Sequence, residues 1–197
     1  MNIQPYFYLY CVLLVCLVLQ GCQNSDTDEV FESSSAPTVS DVIPLGEVKP
    51  SQSGSIFQAV ANTEINVTYD RPVARGRELF GGIVPYDEIW NPGANDATKV
   101  SFSRSVTVDG FPLQKGDYSI WMIPSRNEWK VIFNRAADVY HQPYPGEEHE
   151  ELRLTVTPRI AGHMETLAFY FSTVEKKDAE LRMHWGDTII PLAISVP

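Results

Sequence analysis

Residues 55–197 predict an all-β domain: an antiparallel β-sandwich, jelly-roll-like, of about nine to ten strands with one long ordered loop. Three observations point that way. From Ser55 onward apolar and polar residues alternate with a period of two, turn-forming residues separate the alternating runs, and no stretch sustains a helical period.

Taken in order, Ile65, Val67 and Tyr69 alternate with Asn66, Thr68 and Asp70, and Val100 and Phe102 alternate with Ser101 and Ser103. Trp129, Val131 and Phe133 alternate with Lys130 and Asn134; Leu152, Leu154 and Val156 alternate with Arg153, Thr155 and Thr157. Leu181, Met183 and Trp185 alternate with Arg182 and His184, which places His184 on a polar face, and Ile190, Leu192, Ile194 and Val196 close the chain. Each run reads as a half-buried strand with one wet face. Tyr118–Ile123 and Leu167–Phe171 are apolar on both faces and suit more central strands. Turn chemistry falls at Asp109-Gly110, Ser125-Arg126-Asn127-Glu128, Lys176-Lys177-Asp178 and Gly186-Asp187.

The N-terminal part is built differently. Tyr6–Leu19 is uncharged and apolar, too short for a confident span of roughly 20 residues, and it fits the core of a secretory signal. Leu19-Gln20-Gly21-Cys22 follows and resembles the bacterial lipobox, in which the chain is cut before the cysteine and its thiol receives diacylglycerol. Residues 1–21 are therefore expected to be a lipoprotein signal, with Cys22 as the lipidation site and the membrane as a partner through that anchor. Met1–Pro5 carries no Lys or Arg, so an uncleaved anchor helix is the competing reading. Cys11 and Cys16 would leave with the signal, so no thiol remains downstream for a disulfide, a metal or catalysis.

Residues 22–54 form the anchor and a tether rich in Ser, Thr, Asp, Glu and Pro, which cannot pack a core and would span on the order of 30 Å as a coil. Asp26, Asp28 and Glu29 behind the anchor suit either an export cue or a plain charged tether. The expected location is the cell envelope, on the periplasmic or surface face of the outer membrane. The net charge of −10 falls outside residues 1–22 and argues against nucleic acid as a partner.

Between Tyr69 and Thr98 the alternation stops. Connections longer than about 15 residues are uncommon in compact domains and are usually functional or disordered. Leu79, Phe80, Ile83, Ile89 and Trp90 want burial, so this one is expected to fold over an end or edge of the sandwich. Its candidate ligand-binding residues are Arg71, Arg75, Arg77, Tyr86, Glu88, Trp90, Asn95 and Asp96. Three arginines close together can fork onto a carboxylate, sulfate or phosphate, or can pair with Asp70, Glu78, Asp87, Glu88 or Asp96 to fix the loop. Tyr86 and Trp90 suit a stacking face for a sugar ring or a hydrophobic plug. A glycan or small anionic ligand is the expected partner class; no protein partner is indicated.

The run Tyr69-Asp70-Arg71-Pro72, Gly76-Arg77, Phe80-Gly81-Gly82, Val84-Pro85-Tyr86, Trp90 and Gly93-Ala94-Asn95-Asp96-Ala97-Thr98 resembles the family catalogued as domain of unknown function 2911. Lys115-Gly116-Asp117-Tyr118-Ser119, Ile123-Pro124, Glu128-Trp129, Val131-Ile132-Phe133-Asn134 and Trp185-Gly186 extend the resemblance over about residues 51–196. It implies a secreted or envelope-bound bacterial β-domain and supplies no activity. The family tends to carry Arg after the Trp and Glu within the Gly-Ala-Asn run; here those positions are Asn91 and Asp96.

Elsewhere, His141, Glu147 and His149 within His141–Glu151 match no defined metal spacing and read better as solvated charge, so no metal or cofactor is expected. His163 and His184 have no Ser or carboxylate beside them in a triad-like pattern, and no nucleophile elbow, zincin helix or phosphate loop is present. Two functions stand: a non-catalytic envelope module binding through the Arg71–Thr98 loop, which lack of motifs favours, and an envelope hydrolase, acting on carbohydrate, with acid and base from Glu88, Asp96 and a histidine.

Overall fold

A computed structural model describes residues 51–197; the signal, Cys22 and residues 23–50 lie outside the described residues. The described chain is all-β, with ten strands in two antiparallel sheets. In chain order they are β1 (Gln52–Val60), β2 (Thr63–Arg71), β3 (Lys99–Phe102), β4 (Val106–Val108), β5 (Phe111–Leu113), β6 (Gly116–Ile123), β7 (Trp129–Asn134), β8 (Glu150–Val156), β9 (Arg159–Glu175) and β10 (Asp178–Ser195). One sheet runs β1-β2-β3-β6-β7-β8 and the other β5-β4-β10-β9. Strand β1 starts at Gln52, so Gln52, Ser53 and Gly54 belong to the ladder with β2 rather than to the tether.

The period of two decides which side chains enter the core. Ile65, Val67, Val100, Phe102, Tyr118, Ile120, Val131 and Phe133 of the larger sheet are buried against Leu167, Phe169, Leu181, Met183, Leu192 and Ile194 of the smaller one. Strand β6 is central and buried on both faces, as its composition predicts. Its outward Trp121 packs with Ile132 and Ala97 under Val139 and Tyr144 from the β7–β8 connection. That cover is held polar group by polar group: Trp121 Nε1 donates to Ser119 Oγ, Ser119 Oγ donates to Ala136 O, and Asn134 Nδ2 donates to Gly146 O.

The Asp109-Gly110 turn forms as expected, with φ of 48° and 83°, the left-handed pair that a two-residue hairpin needs. Three features differ from the sequence reading. Leu167–Phe171 lies in β9, an edge strand of the smaller sheet rather than a central one. Gly186-Asp187 is not a turn: β10 runs straight through it, with Gly186 at φ 57° and register shifts on both sides, a β-bulge. His184 is buried at 6% exposure, its Nε2 within 3.0 Å of Gly162 O and its Nδ1 within 3.3 Å of Tyr170 Oη.

Candidate functional site

The long connection after β2 is stitched to both sheets. Pro72 has no N–H for a ladder, so β2 ends there, and the chain turns to the edge of β9: Ala74 N donates to Glu165 O at 2.7 Å and Leu167 N to Pro72 O at 2.9 Å. Arg75 and Gly76, at φ 55° and 68°, reverse it. Residues 78–84 close a compact turn through Ile83 N to Glu78 O and Val84 N to Leu79 O. Trp90 then pairs with Met122 through bonds of 2.8 and 2.7 Å, taking the place beside β6 that β3 leaves open. Asn91 completes the ladder with its side chain: Nδ2 donates to Ile120 O at 2.7 Å and Oδ1 accepts from Thr98 N at 3.1 Å.

The loop carries apolar side chains into an aromatic cluster. Trp90 stacks on Trp185 at 5.9 Å and 16°, and Phe80 meets Trp90, Trp129 and Trp185 edge-on at 6.0, 4.6 and 6.2 Å. Such pairs add about 0.5–1.5 kcal/mol each beyond area burial. Above this cluster an open cleft of about 530 Å³ lies between the loop and the β6–β7 and β8–β9 turns. Its floor is closed, since Trp129 and Trp185 are each 2% exposed. Phe80 and Tyr86 of the loop and Ile160 of β9 form apolar wall, and Ile160 is 94% exposed.

The charged groups of the cleft are Arg77, Arg126, Arg159, His163 and Asp187. Arg77 is aimed by backbone carbonyls, with Nε on Ala74 O at 2.8 Å and Nη2 on Val73 O at 2.7 Å. Arg126, in the turn after β6, lies over the Tyr86 ring at 5.1 Å. Arg159 spends Nη1 on Glu180 at 3.1 Å.

His163 is set between two carboxylates, with Nδ1 2.9 Å from Asp187 and Nε2 3.1 Å from Glu165. The sequence reading found no carboxylate for it; the register that pairs Gly186 with Met164 supplies Asp187, and the alternation of β9 supplies Glu165. Glu165, then Asp187, raise the pKa of His163 above its ordinary 6.5, and His163 together with the Arg75 backbone N–H lowers that of Glu165 below 4.5. A carboxylate at each ring nitrogen favours the charged imidazole. Among the described residues no serine or threonine is bonded to this ring.

The raised His163 contributes fully below 6.5 and fades as pH rises through its folded value; the lowered Glu165 contributes above 4.5 and fades as pH falls through its own. The tie is therefore strongest in mildly acidic solution. We expect the His163 Cε1 proton to titrate with a midpoint above 6.5 and Asp187→Asn to return it toward that value. A midpoint at or below 6.5 that ignores Asp187→Asn would remove the bridge.

The remaining sequence candidates scatter. Arg77 and Tyr86 line the cleft, whereas Trp90 lies beside the cleft under Trp185 and against the core. Arg75 is exposed at its turn. Arg71 stays on β2, its stem against Gly54 and its buried Nε without an acceptor among the described residues. None of the three arginines forms an ion pair with the carboxylates expected for them. Glu88 is exposed between Asp87, held on Pro124 O, and Trp90. Asn95 donates to Asp70 at 2.6 Å, and Asp96 pairs with Tyr140 and lines a separate groove with Ser53, Thr68 and Asp70. His141 is bonded to Asn95 O, Glu147 to Arg153, and His149 lies 3.8 Å from Glu148, so the three do not converge on a metal. Arg126, Arg159, Ile160, His163 and Asp187 are cleft residues that sequence reasoning does not select: Arg126 is in the turn after β6, Arg159 and Ile160 open β9, and His163 and Asp187 lie within β9 and β10.

A family model described as "Protein of unknown function (DUF2911)" matches residues 51–194. The chain belongs to this family. The match begins one residue before β1 and ends one residue before the end of β10, so the DUF2911 domain is the whole sandwich. No curated protein and no solved structure matches the chain. In this DUF2911 member the residue after Trp90 is Asn91, which extends the β6 ladder, and Asp96 is exposed and does not meet it.

Proposed function

We propose that this DUF2911 domain is a non-catalytic binding module of the bacterial cell envelope, held there by a lipid on Cys22, and that its ligand is a small molecule carrying negative charge which enters the cleft beside Arg77 and Arg126. One observation carries the reading. In a chain of net charge −10 the cleft collects Arg77, Arg126, Arg159 and His163; Arg159 is paired with Glu180 and His163 with Asp187 and Glu165, which leaves Arg77 and Arg126 outside the ion pairs among the described residues. Arg126 rests on an aromatic face, with no acidic partner among the described residues to neutralise it. Guanidinium groups held by carbonyls and rings keep their outward N–H groups for an oxyanion, and desolvation in a cleft strengthens that contact. A volume of about 530 Å³ falls within the range of small-molecule sites.

The test is calorimetric titration of the full chain in lipid nanodiscs at pH 6 with phosphate, citrate and glucuronate, blank nanodiscs being subtracted. At least one anion is expected to bind in a salt-dependent way, about tenfold more weakly to Arg126→Ala, a loss of roughly 1.4 kcal/mol. No binding by any of the three, or binding that ignores both Arg126→Ala and Arg159→Ala, would overturn it. The anchor has its own test: mass spectrometry of the native protein is expected to find an N-terminal diacylated Cys22, and an unprocessed N-terminus would contradict it.

A further inference from the structure

We infer that the cleft takes an amphiphilic anion, a carboxylate or phosphate head joined to an apolar body, with the head at Arg126 and Arg77 and the body against Ile160, Phe80 and Tyr86. This rests on the anion reading above and narrows it. Three observations carry the step. The first is size: about 530 Å³ far exceeds an inorganic oxyanion, so a ligand that fills the cleft has a body as well as a charge.

The second is Ile160. Single exposed apolar residues are ordinary on protein surfaces, and Phe57 and Phe111 are of that kind, 64% and 55% exposed on the edge strands β1 and β5. Ile160 differs in being 94% exposed while lining the cleft, next in sequence to Arg159 and paired in register with Thr188 of the adjacent strand β10. A β-branched side chain on a rigid strand has little freedom to turn away, so the apolar surface it shows to the cleft is fixed.

The third is the state of the tryptophans. Trp129 and Trp185 form the floor but expose only 2% each, with Phe80 wedged over them. Sugar recognition by stacking needs an open aromatic face, and the floor offers none. The accessible apolar surface is on the walls, and it is aliphatic at Ile160 and aromatic at the half-buried Phe80 and Tyr86. A body that removes water from these walls also dehydrates the Arg126 contact with the head, so the two halves of the ligand reinforce one another.

The experiment compares phosphate, hexyl phosphate, phenyl phosphate and uncharged phenol on the full chain in nanodiscs at pH 6, with blank nanodiscs subtracted. Hexyl or phenyl phosphate is expected to bind at least tenfold more tightly than phosphate, and phenol more weakly than phenyl phosphate. Ile160→Asn, at a side chain that packs on nothing, is expected to remove most of the gain of the esters over phosphate while leaving phosphate itself unchanged. Equal affinity for phosphate and both esters would overturn this inference and leave the anion reading standing. Loss of all anion binding would sink both. A preference for hexyl over phenyl phosphate assigns the body as an acyl or alkyl chain, the reverse preference as a ring, and either supports the inference.

Discussion

Replacing Trp185 with Ala is expected to destabilise the domain by about 3–5 kcal/mol, the cost of deleting a large buried aromatic that its neighbours cannot replace. Trp185 is 2% exposed, stacks on Trp90, meets Phe80 and donates from Nε1 to Glu165 O at 3.3 Å. It therefore joins the loop, β9 and β10 at one point. The surroundings cannot collapse into the gap, because β10 is fixed by its bulge at Gly186 and the loop by its bonds to Glu165 O and Met122. Domains of this size have roughly 5–15 kcal/mol of stability, so the loss is about a fifth of it or more. Urea denaturation reads the change as a fall in midpoint at unchanged slope. Trp185→Phe keeps the ring contact and loses the donor, and should recover more than half of the loss. A change under 1 kcal/mol for Trp185→Ala would mean that the loop is not anchored on this cluster.

The second large effect is expected at Asn91. It is 1% exposed, and its amide stands in for a peptide group, donating to Ile120 O and accepting from Thr98 N just where β3 has not yet begun. Asn91→Leu keeps the volume roughly and strands both backbone groups, each costing about 1–3 kcal/mol when buried without a partner. The expected loss is about 2–6 kcal/mol, accompanied by faster hydrogen exchange at the Thr98 amide. If Asn91→Leu is neutral and Thr98 stays protected, the side chain is not extending the ladder.

The sheet content was legible because burial on one face leaves a period of two in the sequence, and it was plainest where the ladder is regular, at Ile65–Tyr69 and Trp129–Phe133. The Asp109-Gly110 hairpin was legible because positive φ at both positions selects those residues. The turn of the β9–β10 hairpin was legible at Lys176-Lys177, but its length was not, because Gly186-Asp187 looks the same in sequence whether it turns a chain or bulges a strand. The loop was recognisable as ordered from its apolar content, and Arg77 and Tyr86 do reach the cleft. Its other half was hidden by non-local pairing. Arg126, Arg159, His163 and Asp187 come from separate turns and strands, and the register of β9 against β10 brings His163 to Asp187. Asn95 and Asp96 sit close to Trp90 in sequence, yet Asn95 is bonded to Asp70 and the bridge to Tyr140 places Asp96 at a different groove.

The four tryptophans offer the most direct measurement of where a ligand sits. Trp129 and Trp185 floor the cleft, whereas Trp121 lies on the outer face of β6 beneath Tyr144, with its Nε1 on Ser119. With ¹⁵N-labelled indoles, titration by phosphate and by phenyl phosphate at pH 6 is expected to shift the Trp185 and Trp129 signals and leave Trp121 in place. Shifts confined to Trp121, or none at saturating ligand, would contradict binding in this cleft.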